Sequence, residues 1–260
     1  MLREFTAFFN KQYRDSQDGP FLLKAKTALL QLLRENYAQK SLPSHMFFAD
    51  DCFVVFRNLG FMNDEYFQLA LATAKVDQVL LARIWRVWTL CWSMHLRWST
   101  KGCMIDCGTY NGVTLEVALR YSSSKLGSRG DSILACDLFD DPPDEARKAD
   151  HGPHLHQAVA TRLAPLGSVK VLKGRLPDSL IAAQLTPVTW CHIDLNSADA
   201  DGETFKYILP KLTDGATVVF DDYGSSRYAE TQKRLDSIAE LTGSRILELP
   251  TGQGLYIHQK

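Results

Sequence analysis

The residues best placed to do chemistry sit in two short stretches, MIDCGTYNGVTLEVALRY and SILACD, which carry Asp106, Gly108, Gly112 and Asp137. Glycines let a backbone pass close to a ligand, and a helix N-terminus following them offers free N–H groups. Dinucleotide sites usually show G-x-G-x-x-G, whereas the spacing here is D-x-G-x-x-x-G, with a carboxylate ahead of the loop. Such a carboxylate repels a pyrophosphate and attracts an ammonium or sulfonium group. Asp137, at the end of the next apolar run, can accept hydrogen bonds from both hydroxyls of a ribose, and Phe139 two residues on can flank an adenine. Taken alone, the glycine spacing also suits an ordinary tight turn.

These side chains need a scaffold that brings strand ends together. After Gly102 the apolar runs CMIDC, SILACD, VKVLKG, VTWCHID and ATVVFDD alternate with helical segments, the signature of βαβ units and a mainly parallel sheet. Two last runs, RILEL and LYIHQ, flank the turn-rich PTGQG and predict an antiparallel hairpin at one edge. The fold class expected is therefore α/β: a Rossmann-like, seven-stranded sheet with helices on both faces. Residues 1–100 read as a helical N-terminal extension or lid, and residues 101–260 as the ligand-binding domain. An amphipathic helix is expected from Phe21 to about Tyr37. A longer helical tract runs from Asn63 or Asp64 toward Trp98, with Leu80, Ile84, Val87, Cys91 and Met94 on one stripe. Trp85, Trp88 and Trp92 in that tract are expected to pack against the core.

Composition narrows the classes of function. A chain of 260 residues, 45% hydrophobic, can bury one sizeable core. Its net charge of -1 gives no electrostatic reason to expect nucleic acid as a partner. Six cysteines without a C-x-x-C pair read as reduced structural thiols. The N-terminus lacks an apolar signal region, and no segment supplies the roughly 18 uncharged apolar residues of a membrane span, so a cytoplasmic protein without membrane insertion is expected.

In the stretches IDCGTYNG, LKGRLPDSL, HIDLNSADADGETFKYILPKLTDGATVVFDDYG and PTGQGL, spread from Gly102 to Leu255, the sequence resembles the class I S-adenosylmethionine-dependent methyltransferases. Within them it is similar to the macrocin O-methyltransferase (TylF/MycF-like) group. That resemblance implies S-adenosylmethionine as cofactor, held by Asp106, Gly108, Thr109, Tyr110, Gly112, Asp137, Phe139, Gly174 and Asp194. It implies a divalent cation, usually magnesium, on Asp194, Asp221 and Asp222, and a small, sugar-like acceptor methylated on a hydroxyl. Neighbouring parallel strands lie about 5 Å apart, so their ends can gather oxygen ligands. The competing reading of Asp221 and Asp222 is that they cap the next helix.

One position departs from the family pattern. The resemblance implies D-x-D at the end of the fourth parallel strand, its second Asp serving as general base, and here that position is Asn196. An amide cannot take a proton. His192 shares a strand face with Asp194 and is the alternative base, with Asp194 beside it as the second catalytic residue; Asp199 and Asp201 remain open. A structural role for His192 weighs equally. The histidines of HGPHLH are expected on a segment covering the substrate, and Tyr223 and Gly224 at the acceptor pocket, while Gln253 reads as part of the hairpin turn. Two other readings stay open: a non-catalytic S-adenosylmethionine-binding regulatory subunit, suggested by Asn196, and a nicotinamide-dependent dehydrogenase. A homodimer is the preferred assembly.

Overall fold

The computed structural model describes residues 46–50, 52–55, 58–139, 151 and 154–259. The amphipathic helix expected over Phe21–Tyr37 lies outside them. The expected extension contains more than helix: strands β1 (Met46–Ala49) and β2 (Cys52–Val55) pair as an antiparallel hairpin.

The tract expected as one long helix is divided into α1 (Glu65–Ala74), α2 (Gln78–Leu81) and α3 (Ile84–Arg97). Asp64 caps α1 by accepting from the Phe67 amide at 3.0 Å, and Lys75 ends it in the left-handed region at φ 54°. Asp50, in the hairpin turn, then accepts from the amides of Trp85 and Arg86 at 2.9 and 3.1 Å, satisfying two free donors at the start of α3. Periodicity could not show this break, because the apolar stripe resumes in nearly the same phase. Trp85 and Trp88 pack about Phe61 with ring centroids 5.7 and 5.6 Å away, as a packing role predicts, whereas Trp92 is exposed.

The remaining elements follow the alternation read from the sequence. They are β3 (Cys103–Cys107), α4 (Val113–Leu126), β4 (Ile133–Asp137), α5 (Leu155–Leu163), β5 (Val169–Lys173), α6 (Asp178–Ala182), β6 (Val188–Ile193), α7 (Ala198–Ile208), β7 (Leu212–Phe220), α8 (Ala229–Glu240), β8 (Leu247–Glu248) and β9 (Gly254–Ile257). The seven-stranded sheet runs β5-β4-β3-β6-β7-β9-β8, parallel from β5 through β7 and antiparallel in the last two pairings. Helices cover both faces.

Side chains alternate across the sheet as the two-residue period requires. Met104, Ala135, Trp190 and Val219 join α1, α3, α4 and α5 in one apolar cluster, and Ile105, Cys136, Cys191 and Val218 join α7 and α8 in the other. The six cysteines are free, five of them buried, as structural thiols should be. Helix α3 is tied to its face by polar contacts too: Trp190 Nε1 donates to Ser93 Oγ at 2.9 Å. The chain reverses its direction of travel across the sheet at β3, between β4 and β6, and in open α/β sheets the crevice at such a reversal is where ligands bind.

Candidate active site

The glycine loop leaves β3 at that reversal. Gly108 has φ 91°, and a Cβ there would stand 1.9 Å from the carbonyl oxygen of Asp194, so only glycine lets the β3 and β6 ends meet this closely. Gly112, at φ 76°, opens α4. Thr109 Oγ1 donates to the carbonyl of Asp106 at 3.2 Å, tightening the loop onto its own strand.

Asp137 at the end of β4 fixes the loop from the other side. Its Oδ2 accepts from the Tyr110 amide at 2.7 Å and its Oδ1 from the Phe139 amide at 2.9 Å. A carboxylate has about four acceptor sites, so these two amides leave acceptor capacity for a ligand. Gly174, after β5, donates its amide to the Asp137 carbonyl at 3.0 Å. Two histidines of the expected covering segment reach this corner: the His151 ring lies 5.2 Å from Tyr110, and the His156 ring 5.2 Å from Phe139. Phe139 is fully enclosed by its packing.

On the α3 face, Asp106 and His192 form a buried pair, with Oδ1 2.7 Å from Nδ1. The other ring nitrogen is shut from solvent, makes no hydrogen bond, and lies 3.9 Å from Asp221 Oδ1. Burial opposes charge on this ring, but the hydrogen bond to Asp106 and the negative charges of Asp106 and Asp221 outweigh it and lift His192 well above its ordinary value. Burial likewise opposes charge on Asp221, yet His192, Arg86 and Gln253 hold it below the usual carboxylate range. Asp194 moves the opposite way, raised by burial and by the neighbouring Asp221 charge.

Asp194, Asp221 and Asp222 do converge at the ends of β6 and β7, but they meet different partners from those the resemblance implies. Arg86 Nη1 donates to Asp221 Oδ2 at 2.9 Å and stands 3.6 Å from Asp222 Oδ1. Gln253 Nε2 donates to Asp221 Oδ1 at 2.9 Å, and Asn196 Nδ2 to Asp194 Oδ1 at 3.1 Å. Among the described residues, no group of three or more histidine, cysteine or acidic side chains is arranged to hold a metal ion. The donor set therefore does not fit a magnesium ion: a guanidinium already occupies the negative potential that would attract one.

The other candidates sort by topology. Asp199 pairs with Arg234 at 2.6 Å on the surface, while buried Asp201 accepts from the Leu195 amide at 3.1 Å. Tyr223 turns to α8 and donates to Asp236 at 2.6 Å. Sequence reading missed Arg86, Asp50 and the buried role of Gln253. The available signal was a charged residue in IWRVWTL one helical turn before Leu90, which is buried.

Comparison with known proteins agrees with this architecture. Residues 105–223 match the family described as a methyltransferase domain. No curated protein sequence matches the chain significantly. Among solved structures, the chain is similar to the O-methyltransferase NovP, with TM-score 0.53 and 14% identity over 68% of this chain and 80% of that one. It is also similar to CalS11, a calicheamicin methyltransferase, with TM-score 0.57 and 12% identity over 79% of this chain and 95% of that one. A second CalS11 structure, described as a TDP-rhamnose 3'-O-methyltransferase, gives TM-score 0.55 at 12% identity over 79% of this chain and 97% of that one. No helix among the described residues is long and apolar enough to cross a membrane. With its glycine loop at the reversal of a seven-stranded sheet, the chain has a Rossmann-like methyltransferase fold, and the stretch similar to a methyltransferase domain spans β3 through the end of β7.

Proposed function

We propose that the protein is an O-methyltransferase acting on a hydroxyl of a sugar or sugar-containing small molecule. The observation that carries the cofactor half is Asp137 at the end of β4, whose carboxylate fixes the glycine loop through the Tyr110 and Phe139 amides and keeps acceptor capacity for a ribose. The acceptor half is supported by the likeness in fold to NovP and to CalS11, whose name gives TDP-rhamnose as its substrate.

S-adenosylmethionine, when bound, would supply an activated methyl group to the acceptor hydroxyl. The chain must align the hydroxyl and take up its proton. Asp194 is the residue assigned to the proton: it stands across the loop from Gly108, held by Asn196, which Tyr228 fixes through a 2.7 Å hydrogen bond. His192, whose remaining nitrogen is closed off from solvent, positions Asp106 and Asp221. Tyr110, Asp137, Gly174 and Phe139 hold the nucleoside side. Magnesium has no part in this reading, because Arg86 and Gln253 hold both oxygens of Asp221. A homodimer remains the proposed assembly.

Calorimetric titration with S-adenosylhomocysteine tests the first half, with saturable binding expected and no binding of a nicotinamide dinucleotide. Incubation with S-adenosylmethionine and a panel of nucleotide sugars and glycosides, read by mass spectrometry, tests the second. Methylation confined to amine or carbon positions would overturn the hydroxyl assignment.

A further inference from the structure

We propose that Arg86 takes the place of a divalent cation, so that this protein transfers a methyl group to a hydroxyl with a built-in guanidinium and no bound metal ion. The catalytic half of that statement rests on the function proposed above; the metal half stands on the geometry alone.

Arg86 begins where sequence reasoning places a problem. In IWRVWTL it lies one helical turn before buried Leu90, and its side chain is only 13% exposed, so the helix carries a cation that is mostly withdrawn from water. Burying an unpaired charge is strongly unfavourable, and the side chain persists there only with partners. Those partners are carboxylates: Asp221 Oδ2 at 2.9 Å, Asp222 Oδ1 at 3.6 Å and Asp50 Oδ1 at 3.8 Å. A fourth contact, from Nε to the Thr251 carbonyl at 3.1 Å, fixes the plane of the guanidinium.

The backbone is fixed as well as the side chain. Asp50 accepts from the Trp85 and Arg86 amides, clamping the start of α3, so the guanidinium is delivered from a held helix end. Gln253, fully buried in the β8–β9 turn, closes the other oxygen of Asp221. Four separated parts of the chain thus converge on one fixed positive charge, whose loss would leave three carboxylates without it. A dication placed beside the same carboxylates would face this guanidinium at close range in a water-poor setting, where like charges repel most strongly. The planar fork of an arginine also suits a developing oxyanion, which makes the same charge serviceable to the acceptor.

The test uses Mn2+ itself as probe, titrated into the full chain and followed by electron paramagnetic resonance with and without S-adenosylhomocysteine. Wild-type protein is expected to show no saturable site tighter than millimolar, and Arg86→Ala to bind Mn2+ at least about tenfold more tightly as the freed carboxylates gather a metal. One Mn2+ bound per wild-type chain at micromolar affinity, and lost in Asp221→Asn, would overturn the proposal. So would an Arg86→Ala chain, folded by circular dichroism, that binds Mn2+ no better than wild type. If Arg86→Ala does not fold, Arg86→Met, which keeps the apolar stem, replaces it, and the wild-type measurement decides the metal half alone. Cofactor binding is read separately in the same samples, so failure to bind S-adenosylhomocysteine strikes the proposed function and leaves the metal result intact.

Discussion

Asp106 Oδ1 and His192 Nδ1 lie 2.7 Å apart across the neighbouring strands β3 and β6, at paired positions of the parallel ladder. Both side chains are buried, so each is the other's substitute for water. Removing one strands the other. Asp106→Ala is expected to destabilise the fold by about 3 kcal/mol in urea unfolding, as breaking a buried pair typically does. The Asp106→Ala/His192→Ala double variant should cost clearly less than the two single losses added together. Additive losses would mean that the pair is not coupled.

Gly108→Ala sets a methyl group against the Asp194 carbonyl at 1.9 Å, at a φ of 91° that disfavours any side chain. The β3 and β6 ends must separate to admit it. Loss of measurable S-adenosylhomocysteine binding is expected, with about 2 kcal/mol or more of lost stability. Gly60→Ala is the control, because a Cβ there meets nothing within 4 Å, and it should stay within about 0.5 kcal/mol of wild type.

Asp137 connects the glycine loop to β4 through the amides of Tyr110 and Phe139. Asp137→Ala removes those acceptors and the remaining ribose-facing capacity together. S-adenosylhomocysteine affinity is expected to fall about 10- to 100-fold by calorimetry, corresponding to about 1.4–2.8 kcal/mol. Affinity within twofold of wild type would remove Asp137 from the cofactor site.

Burial raises the carboxyl of Asp201 from 3.8 to about 7. The native state therefore holds this proton more tightly than the unfolded chain does. Its contribution to stability falls as pH rises from about 4 to about 7 and is flat outside that window. Asp201→Asn, which keeps an oxygen for the Leu195 amide, should lose this component of the slope in chemical denaturation across that range. An unchanged slope would place the proton elsewhere.

Much of the scaffold was legible because its signals are local. CMIDC, SILACD, VTWCHID and ATVVFDD are runs whose length and composition settle strand type, and the intervening helices force parallel neighbours. Gly108 and Gly112 announce a loop through backbone freedom alone, and PTGQG announces the terminal hairpin. The break between α2 and α3 was hidden, since an apolar stripe can continue in phase across an interruption and the capping residue, Asp50, lies 35 residues from Trp85.

What the sequence by itself determined is the order of the strands' chemistry: a carboxylate and glycine loop after one run, an acid after the next, and paired acids after ATVVFDD. Which partners those acids take was decided only in three dimensions. Arg86 and Asp221 are separated by 135 residues, and Gln253 and Asp221 by 32, yet all three meet in one partly buried cluster. No periodicity encodes such a meeting. A buried carboxylate is indifferent to where in the chain its counter-charge originates and requires only that one be brought to it, so packing of α3 and the terminal hairpin against β7 settled what acid spacing left open.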